Sequence, residues 1–280
     1  MDDADTSASL YLDLLKQILM RDGFGRSYYP VAFAGRASKI LRPVADTLLA
    51  KRGLSLMKRA HDESASDGKG LSIEAETMIG RKRLDNLQHC VTDVIRRNVP
   101  GDLIETGVWR GGATILMRAV LKVYGDRTRT VWVADSFQGL PPPNPEKYPQ
   151  DAGDRHWEVS TLAVPIAEVK HNFEKYGLLD AQVRFLPGWF CDTLPSAPIQ
   201  ALAVLRLDGD MYESTADALK ALYPKVAPGG YVIVDDYGAV EGCRRAVDDY
   251  RNDNGITDVM ETIDWTGSFW QKTAAETRCE

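Results

Sequence analysis

LIETGVWRGGATILMRAVLKVYG, residues 103 to 125, decides the fold. After the turn at Pro100-Gly101, Leu103, Ile104 and Glu105 make a short strand candidate. Gly107, Gly111 and Gly112 interrupt it, and ATILMRAVLKVYG then repeats apolar residues at helical spacing. The alternation continues with strands at TVWVAD (130–135), AQVRFLPG (181–188), ALAVLRLD (201–208) and GYVIVDD (230–236), and with helices within 164–176, 213–222 and 239–251. Strands that are apolar almost throughout, separated by helices, belong to a parallel sheet covered on both faces. TDVMETI (257–263) and SFWQK (268–272) lie close enough for a hairpin, which adds an antiparallel strand at the C-terminal edge. The expected architecture is α/β, a Rossmann-like doubly wound sheet, mostly parallel.

Upstream, SLYLDLLKQILM (9–20) predicts an amphipathic helix, VADTLLAKRGL after Pro43 a second, and the pattern from Ala75 to Arg97 a third, with a polar loop over 62–70. The chain therefore divides into an N-terminal helical extension and lid, residues 1–98, and a sheet domain, residues 99–280.

Composition narrows the function. The chain has 280 residues, 44% of them hydrophobic and 26% charged, close to the averages for soluble globular proteins, so a sizeable core can form. A net charge of -6 gives no basic face for a phosphate backbone, which excludes nucleic acid as the expected partner. Four dispersed cysteines without a CxxC pair suggest neither a zinc site nor a disulfide framework, and reduced thiols fit a cytoplasmic protein. The N-terminus has no secretory pattern, and no stretch is long enough to span a bilayer, so no membrane association is expected.

The glycines between the first main strand and its helix let the backbone turn tightly and approach a ligand. Their GxxxGG spacing is not GxGxxG and lacks a Gly-Lys-Ser/Thr ending. Asp135 ends the next strand, where open α/β sheets bind ligands; it reads either as a ribose acceptor or as a helix N-cap. Glu105, just before the glycine loop, would repel a pyrophosphate but accept a hydrogen bond from an ammonium group. S-adenosylmethionine has an amino-acid end and no phosphate, so it suits this loop better than a nicotinamide dinucleotide.

Two neighbouring strand ends supply Asp208 and the pair Asp235-Asp236. Three carboxylates held together raise one another's pKa values unless a cation or donors compensate, and all-oxygen ligation favours a hard ion such as Mg²⁺. The competing reading is that some of them cap helices or form salt bridges. Asp210 is the candidate general base, or else an ordinary loop carboxylate. The long connection LPPPNPEKYPQDAGDRHW (140–157) reads as a lid or as a solvated excursion, with His156 and Trp157 near its end as acceptor contacts.

Together these residues resemble the macrocin O-methyltransferase family, metal-dependent enzymes that methylate sugar hydroxyls of macrolides and related natural products, including aminocoumarins. The matching stretches are YLDLLKQIL, AETMIGRKRLDNLQ (75–88), LIETGVWRGGA (103–113), VADSFQGLPPP (133–143) and the block from Leu207 to Arg251. The resemblance implies a class I methyltransferase fold. It implies that Glu105, Gly107, Gly111 and Gly112 hold the methionine portion and Asp135 the ribose, with Ser136, Gly188, Trp189, Phe190 and Asp208 also around the cofactor. Trp189 and Phe190 would otherwise be core aromatics. It further implies Asp208, Asp235 and Asp236 as Mg²⁺ ligands, Asp210 as the base, Thr77 and Met78 in a lid over the cofactor, and a homo-oligomer. Asp210, His156, Trp157 and Tyr237 fall on the side of a glycosylated small-molecule acceptor. Alternatives are a phenol or catechol acceptor, a nicotinamide oxidoreductase, or a non-catalytic binding protein.

Overall fold

In the computed structural model, residues 3–22, 28–30, 49, 51, 52, 54, 57–59, 68 and 74–273 are described. The helix expected after Pro43 and the loop expected over 62–70 lie largely outside them. Helix α1 (Asp3–Met20) opens the chain, and β1 (Tyr28–Pro30) pairs antiparallel with β2 (Met57–Arg59). After α2 (Arg81–Arg96) the main sheet begins. It runs through β3 (Asp102–Thr106), α3 (Gly112–Val123), β4 (Val131–Asp135), α4 (Ile166–Lys175), β5 (Val183–Pro187), the short α5 (Phe190–Thr193) and β6 (Leu202–Leu207). It closes with α6 (Tyr212–Leu222), β7 (Val226–Val234), α7 (Glu241–Asp253), β8 (Glu261–Thr262) and β9 (Ser268–Gln271).

The strand order is β5-β4-β3-β6-β7-β9-β8, parallel from β5 to β7, with β9 antiparallel to both β7 and β8. Alternating side chains sort the core into two layers. Leu103, Val131, Val133 and Val204 face α1 to α4, meeting Leu12, Leu15, Leu87, Leu116, Val169 and Phe173. Ile104, Trp132, Ala134, Leu205 and Leu207 face the other way, meeting Leu219, Leu222, Val247 and Trp270. The helices before residue 98 thus share a core with the sheet.

Strand order reverses at β3: β4 and β5 lie to one side, β6 and β7 to the other. The carboxyl ends of β3 and β6 therefore flank the crevice where open α/β sheets bind ligands. Gly107 sits there with φ +87°, and a Cβ on it would lie 1.8 Å from the Asp208 carbonyl oxygen, so no side chain fits.

The helix expected from Ala75 starts only at Arg81. Residues 74–80 instead form an irregular run of turn and bends beside the start of α3. Gly112 N–H donates to Glu76 O at 2.8 Å, and Ile79 N–H donates to Thr77 Oγ1, closing a local turn before the helix. A Cβ on Gly112 would meet Glu76 O at 2.5 Å, so the crossing needs glycine there.

Candidate active site

A cleft of about 360 Å³ opens at the switch point. Its lining includes Met78, Gly107, Asp135, Ser136, Gly188, Trp189, Phe190, Asp208 and Asp210, half of the residues singled out from the sequence. Trp189 and Phe190 are half-buried; Phe190 packs on the α6 side of the core and also faces the cleft. Leu140, Pro141, Pro142, Asn144 and Leu162 complete one wall, so the proline-rich connection is part of the site. Thr77 is buried beside Gly112, Gly111 sits against Val169, and Glu105 is buried behind the lining. Trp157 is exposed, and neither His156, Trp157 nor Tyr237 lines this cleft.

Asp135 ends β4 at the cleft, and the chain bends there instead of entering a helix, so Asp135 is no N-cap. Its Oδ2 accepts from Val108 N–H and its Oδ1 from Phe137 N–H, both at 2.7 Å. The carboxylate thus ties the glycine loop to its own loop. Each oxygen keeps a further lone pair for a hydroxyl donor. Burial pushes its pKa up against those amide bonds.

Behind the cleft lies a buried ionic cluster centred on a residue the sequence reading did not use. Arg206 is fully buried on β6. Its Nη1 donates to Glu105 Oε1 at 2.5 Å and to Asp208 Oδ2 at 2.6 Å, and its Nη2 donates to Asp235 Oδ1. Arg83 of α2 donates to the other Asp235 oxygen, and through Nε to Asp264 Oδ2 at 3.0 Å. One signal could have found Arg206: a charge inside the apolar run ALAVLRLD cannot be buried without carboxylate partners. Arg83 lies in a charged helical stretch that carried no such signal.

One oxygen from each of Asp208, Asp235 and Asp236 lies within 4.8 Å of the others. The salt-bridge reading thus holds for Asp208 and Asp235, while Asp236 Oδ2 is buried with no partner among the described residues. Burial pushes Asp235 up to about 6 and Asp210 up to about 7, and it raises Asp236 well above the usual carboxylate range. Glu105 is pushed to about 8 by burial against the pull of Arg206, and its Oε2 is also buried without a partner among the described residues. Among the described residues, two guanidinium groups therefore serve Glu105, Asp208, Asp235, Asp236 and Asp264, with Asp210 close to Asp208 and Asp235. The donor set fits a hard divalent cation: it is all oxygen, carries excess negative charge and keeps a free buried oxygen on Asp236. The Asp208 and Asp235 oxygens that accept from arginine retain lone pairs for ligation.

His156 stands where its loop meets this cluster. Its Nδ1 lies 2.7 Å from Asp154 Oδ2 and its backbone N–H donates to Asp154 Oδ1 at 2.8 Å. Burial opposes its charged form, but the carboxylates of Asp154 and Asp210 outweigh burial and raise its pKa.

A sheet of this order, with its ligand cleft at the β3/β6 switch point and an antiparallel β9 against β7, has the architecture of a class I methyltransferase that uses S-adenosylmethionine. The chain belongs to the macrocin-O-methyltransferase (TylF) family, whose model matches residues 8–272. It is 50% identical over 275 residues to demethyldecarbamoylnovobiocin O-methyltransferase of Streptomyces niveus, covering 97% of this chain and 96% of that one. It is 60% identical over 205 residues to 8-demethyl-8-(2,3-dimethoxy-alpha-L-rhamnosyl)-tetracenomycin-C 4'-O-methyltransferase of Streptomyces olivaceus, covering 73% and 78%. The solved structure of the O-methyltransferase NovP superposes with a TM-score of 0.81 at 49% identity, covering 95% of this chain and all of that one. The protein is an S-adenosylmethionine-dependent O-methyltransferase.

Proposed function

We propose that the enzyme transfers the methyl group of S-adenosylmethionine to a sugar hydroxyl of a glycosylated natural product, with Mg²⁺ held by Asp208, Asp235 and Asp236. The observation that carries this reading is the unpartnered buried oxygen of Asp236 in a carboxylate cluster beside the cofactor cleft. The acceptor class is taken from relatives whose names specify glycosides or antibiotics, among them mycinamicin III 3''-O-methyltransferase of Micromonospora griseorubida, 51% identical over 216 residues.

In this reading Glu105 receives the cofactor's ammonium group on Oε2, Asp135 and Ser136 take the ribose side, and Thr77 and Met78 cover it. The glycine loop from Gly107 to Gly112 lets the methionine portion approach the backbone. Gly188, Trp189 and Phe190 flank the adenine, excluding water around the sulfonium. Asp210 takes the acceptor proton as the C–O bond forms and the C–S bond breaks, leaving neutral S-adenosylhomocysteine. A bound divalent cation supplies a charge that lowers the hydroxyl pKa and fixes its position. His156, Trp157 and Tyr237 stand on the acceptor side.

Incubation with labelled S-adenosylmethionine tests the reading directly. Mycinamicin III, demethyldecarbamoylnovobiocin and 8-demethyl-8-(2,3-dimethoxy-α-L-rhamnosyl)-tetracenomycin C form one arm, and simple catechols the other. Label on a sugar oxygen of at least one glycoside is expected; label only on the catechols would overturn the acceptor assignment.

We also propose a cytoplasmic homo-oligomer. Cys90, Cys191 and Cys243 form no disulfide, and no helix of the described residues is long and apolar enough to cross a membrane. On α1, Leu10 and Leu14 are exposed while Leu12 and Leu15 are buried, leaving an apolar face for a second copy. Light scattering should give a multiple of the 31.1 kDa chain mass; a single-chain mass contradicts the assembly.

A further inference from the structure

Helix α6 begins immediately after the loop that carries Asp208 and Asp210, and its first amides need acceptors. Met211, at the N-cap position, supplies no side-chain hydrogen bond. The acceptors come from 61 and 62 residues away: Asp151 Oδ1 accepts from Tyr212 N–H at 2.8 Å and Asp151 Oδ2 from Glu213 N–H at 2.9 Å. Asp151 is only 2% exposed, and a Cβ on Gly242, at the start of α7, would lie 3.1 Å from its Oδ1. The carboxylate is therefore enclosed between the first turns of two helices.

The groups on either side of this cap give it a consequence for the chemistry. Asp210, two residues before Tyr212, has φ +56°, a left-handed conformation that is uncommon for residues with a side chain, though Asp adopts it more readily than most. The turn is closed by Met211 N–H donating to Gly209 O at 2.6 Å, and the cap fixes the next two amides. On the Asp151 side, Asp154 N–H donates to Asp151 O at 3.0 Å, and Asp154 in turn holds the His156 ring. Tyr148 adds a second tie, its hydroxyl donating to Asp217 Oδ1 on α6 at 3.0 Å. The proline-rich connection and the Asp210 loop are thereby joined through one buried carboxylate.

We propose that Asp151 is a positioning residue for Asp210: acting through the amides of Tyr212 and Glu213, it sets where the Asp210 carboxylate stands relative to the acceptor and to His156. The inference rests on the reading of Asp210 as the group that takes the acceptor proton. Displacing a reacting group by about 1 Å is enough to slow a reaction roughly 10²-fold, so a cap that holds Asp210 governs rate more than cofactor binding.

The test uses the full chain, the fastest glycoside among the three acceptors, and the variants Asp151→Ala, Asp151→Asn, Asp210→Asn and Asp151→Ala/Asp210→Asn. Asp151→Ala should lower kcat about 10²-fold while S-adenosylhomocysteine affinity stays within about twofold. Asp151→Asn keeps one carbonyl acceptor for the amides and should recover part of the rate. The double variant should be no slower than Asp210→Asn, because a residue acting through Asp210 has nothing left to position. Hydrogen exchange should rise in Asp151→Ala at both Tyr212–Glu213 and residues 154–159, with 103–123 unchanged. Should the alanine variant not fold, the asparagine variant carries the same measurements. Wild-type kcat in a folded variant, losses that multiply in the double variant, or unchanged exchange at either loop would overturn the inference. Full rate in Asp210→Asn alone would instead remove the reading on which it rests.

Discussion

Arg206→Met is expected to cost about 3–5 kcal/mol of folding stability at pH 8, the effect of stripping one partner from a buried ionic cluster. Arg206 is the shared donor to Glu105, Asp208 and Asp235, and among the described residues only Arg83 remains as a guanidinium in the cluster once it is removed. The loss should shrink at pH 5.5, and the sign comes from linkage. Glu105 and Asp235 already have folded-state pKa values raised to about 8 and about 6, chiefly by burial, and without Arg206 they rise further. The folded variant then holds protons that the unfolded chain sheds near pH 4, so its stability falls as pH rises from about 4 to beyond 8. Urea unfolding of both proteins at the two pH values reads this. Equal stability at pH 8 would show that Arg206 is not the counter-charge of the site.

Asp210→Asn is expected to lower kcat by about 10²–10⁴-fold with little change in S-adenosylhomocysteine affinity. Its carboxylate lies at the cleft, with a pKa that burial pushes to about 7, and asparagine keeps its shape but cannot accept the proton. For the wild type the same pKa places an acid limb in the rate: a base must be ionised, so kcat falls as pH drops through that value, and a nearby cation moves the limb lower. Single-turnover rates across pH 5.5–9 measure both. A folded asparagine variant with wild-type kcat would return Asp210 to an ordinary loop carboxylate.

The strand ends were legible because a parallel sheet buried on both faces must write its strands as unbroken apolar runs; Leu202–Leu207 is buried at every position. The limits of other elements were not. β7 begins at Val226 rather than Gly230, because an irregularity pairs Leu202 with Val226 but Val204 with Tyr231, absorbing Pro228 and Gly229. Met78 and Ile79 extend the helical pattern of α2 toward Ala75, yet they belong to an irregular, bent segment held to the glycine loop through Glu76, a contact no local periodicity encodes. Of TDVMETI only Glu261–Thr262 is strand, and Val259 is exposed.

The site divides the same way. Residue type and strand-end position were enough to bring Asp135, Asp208 and Gly107 to one cleft. Partnership was not readable: both Asp135 oxygens are engaged by backbone amides, and Asp235 lies between two arginines from distant elements. Nor could spacing reveal that Asp151 reaches across the connection to cap α6.

Calorimetric titration of Mg²⁺ into chelator-treated protein saturated with S-adenosylhomocysteine tests the central claim most directly, with methyl transfer measured on the same samples. Protons and the cation compete for Asp235 and Asp236, and burial has raised Asp235 to about 6 and Asp236 well above the usual carboxylate range. Binding should therefore be tighter at pH 8 than at pH 6, be lost in Asp236→Asn, and restore transfer in parallel with occupancy. Methyl transfer at full rate in EDTA, with no Mg²⁺ binding at either pH, would contradict the account.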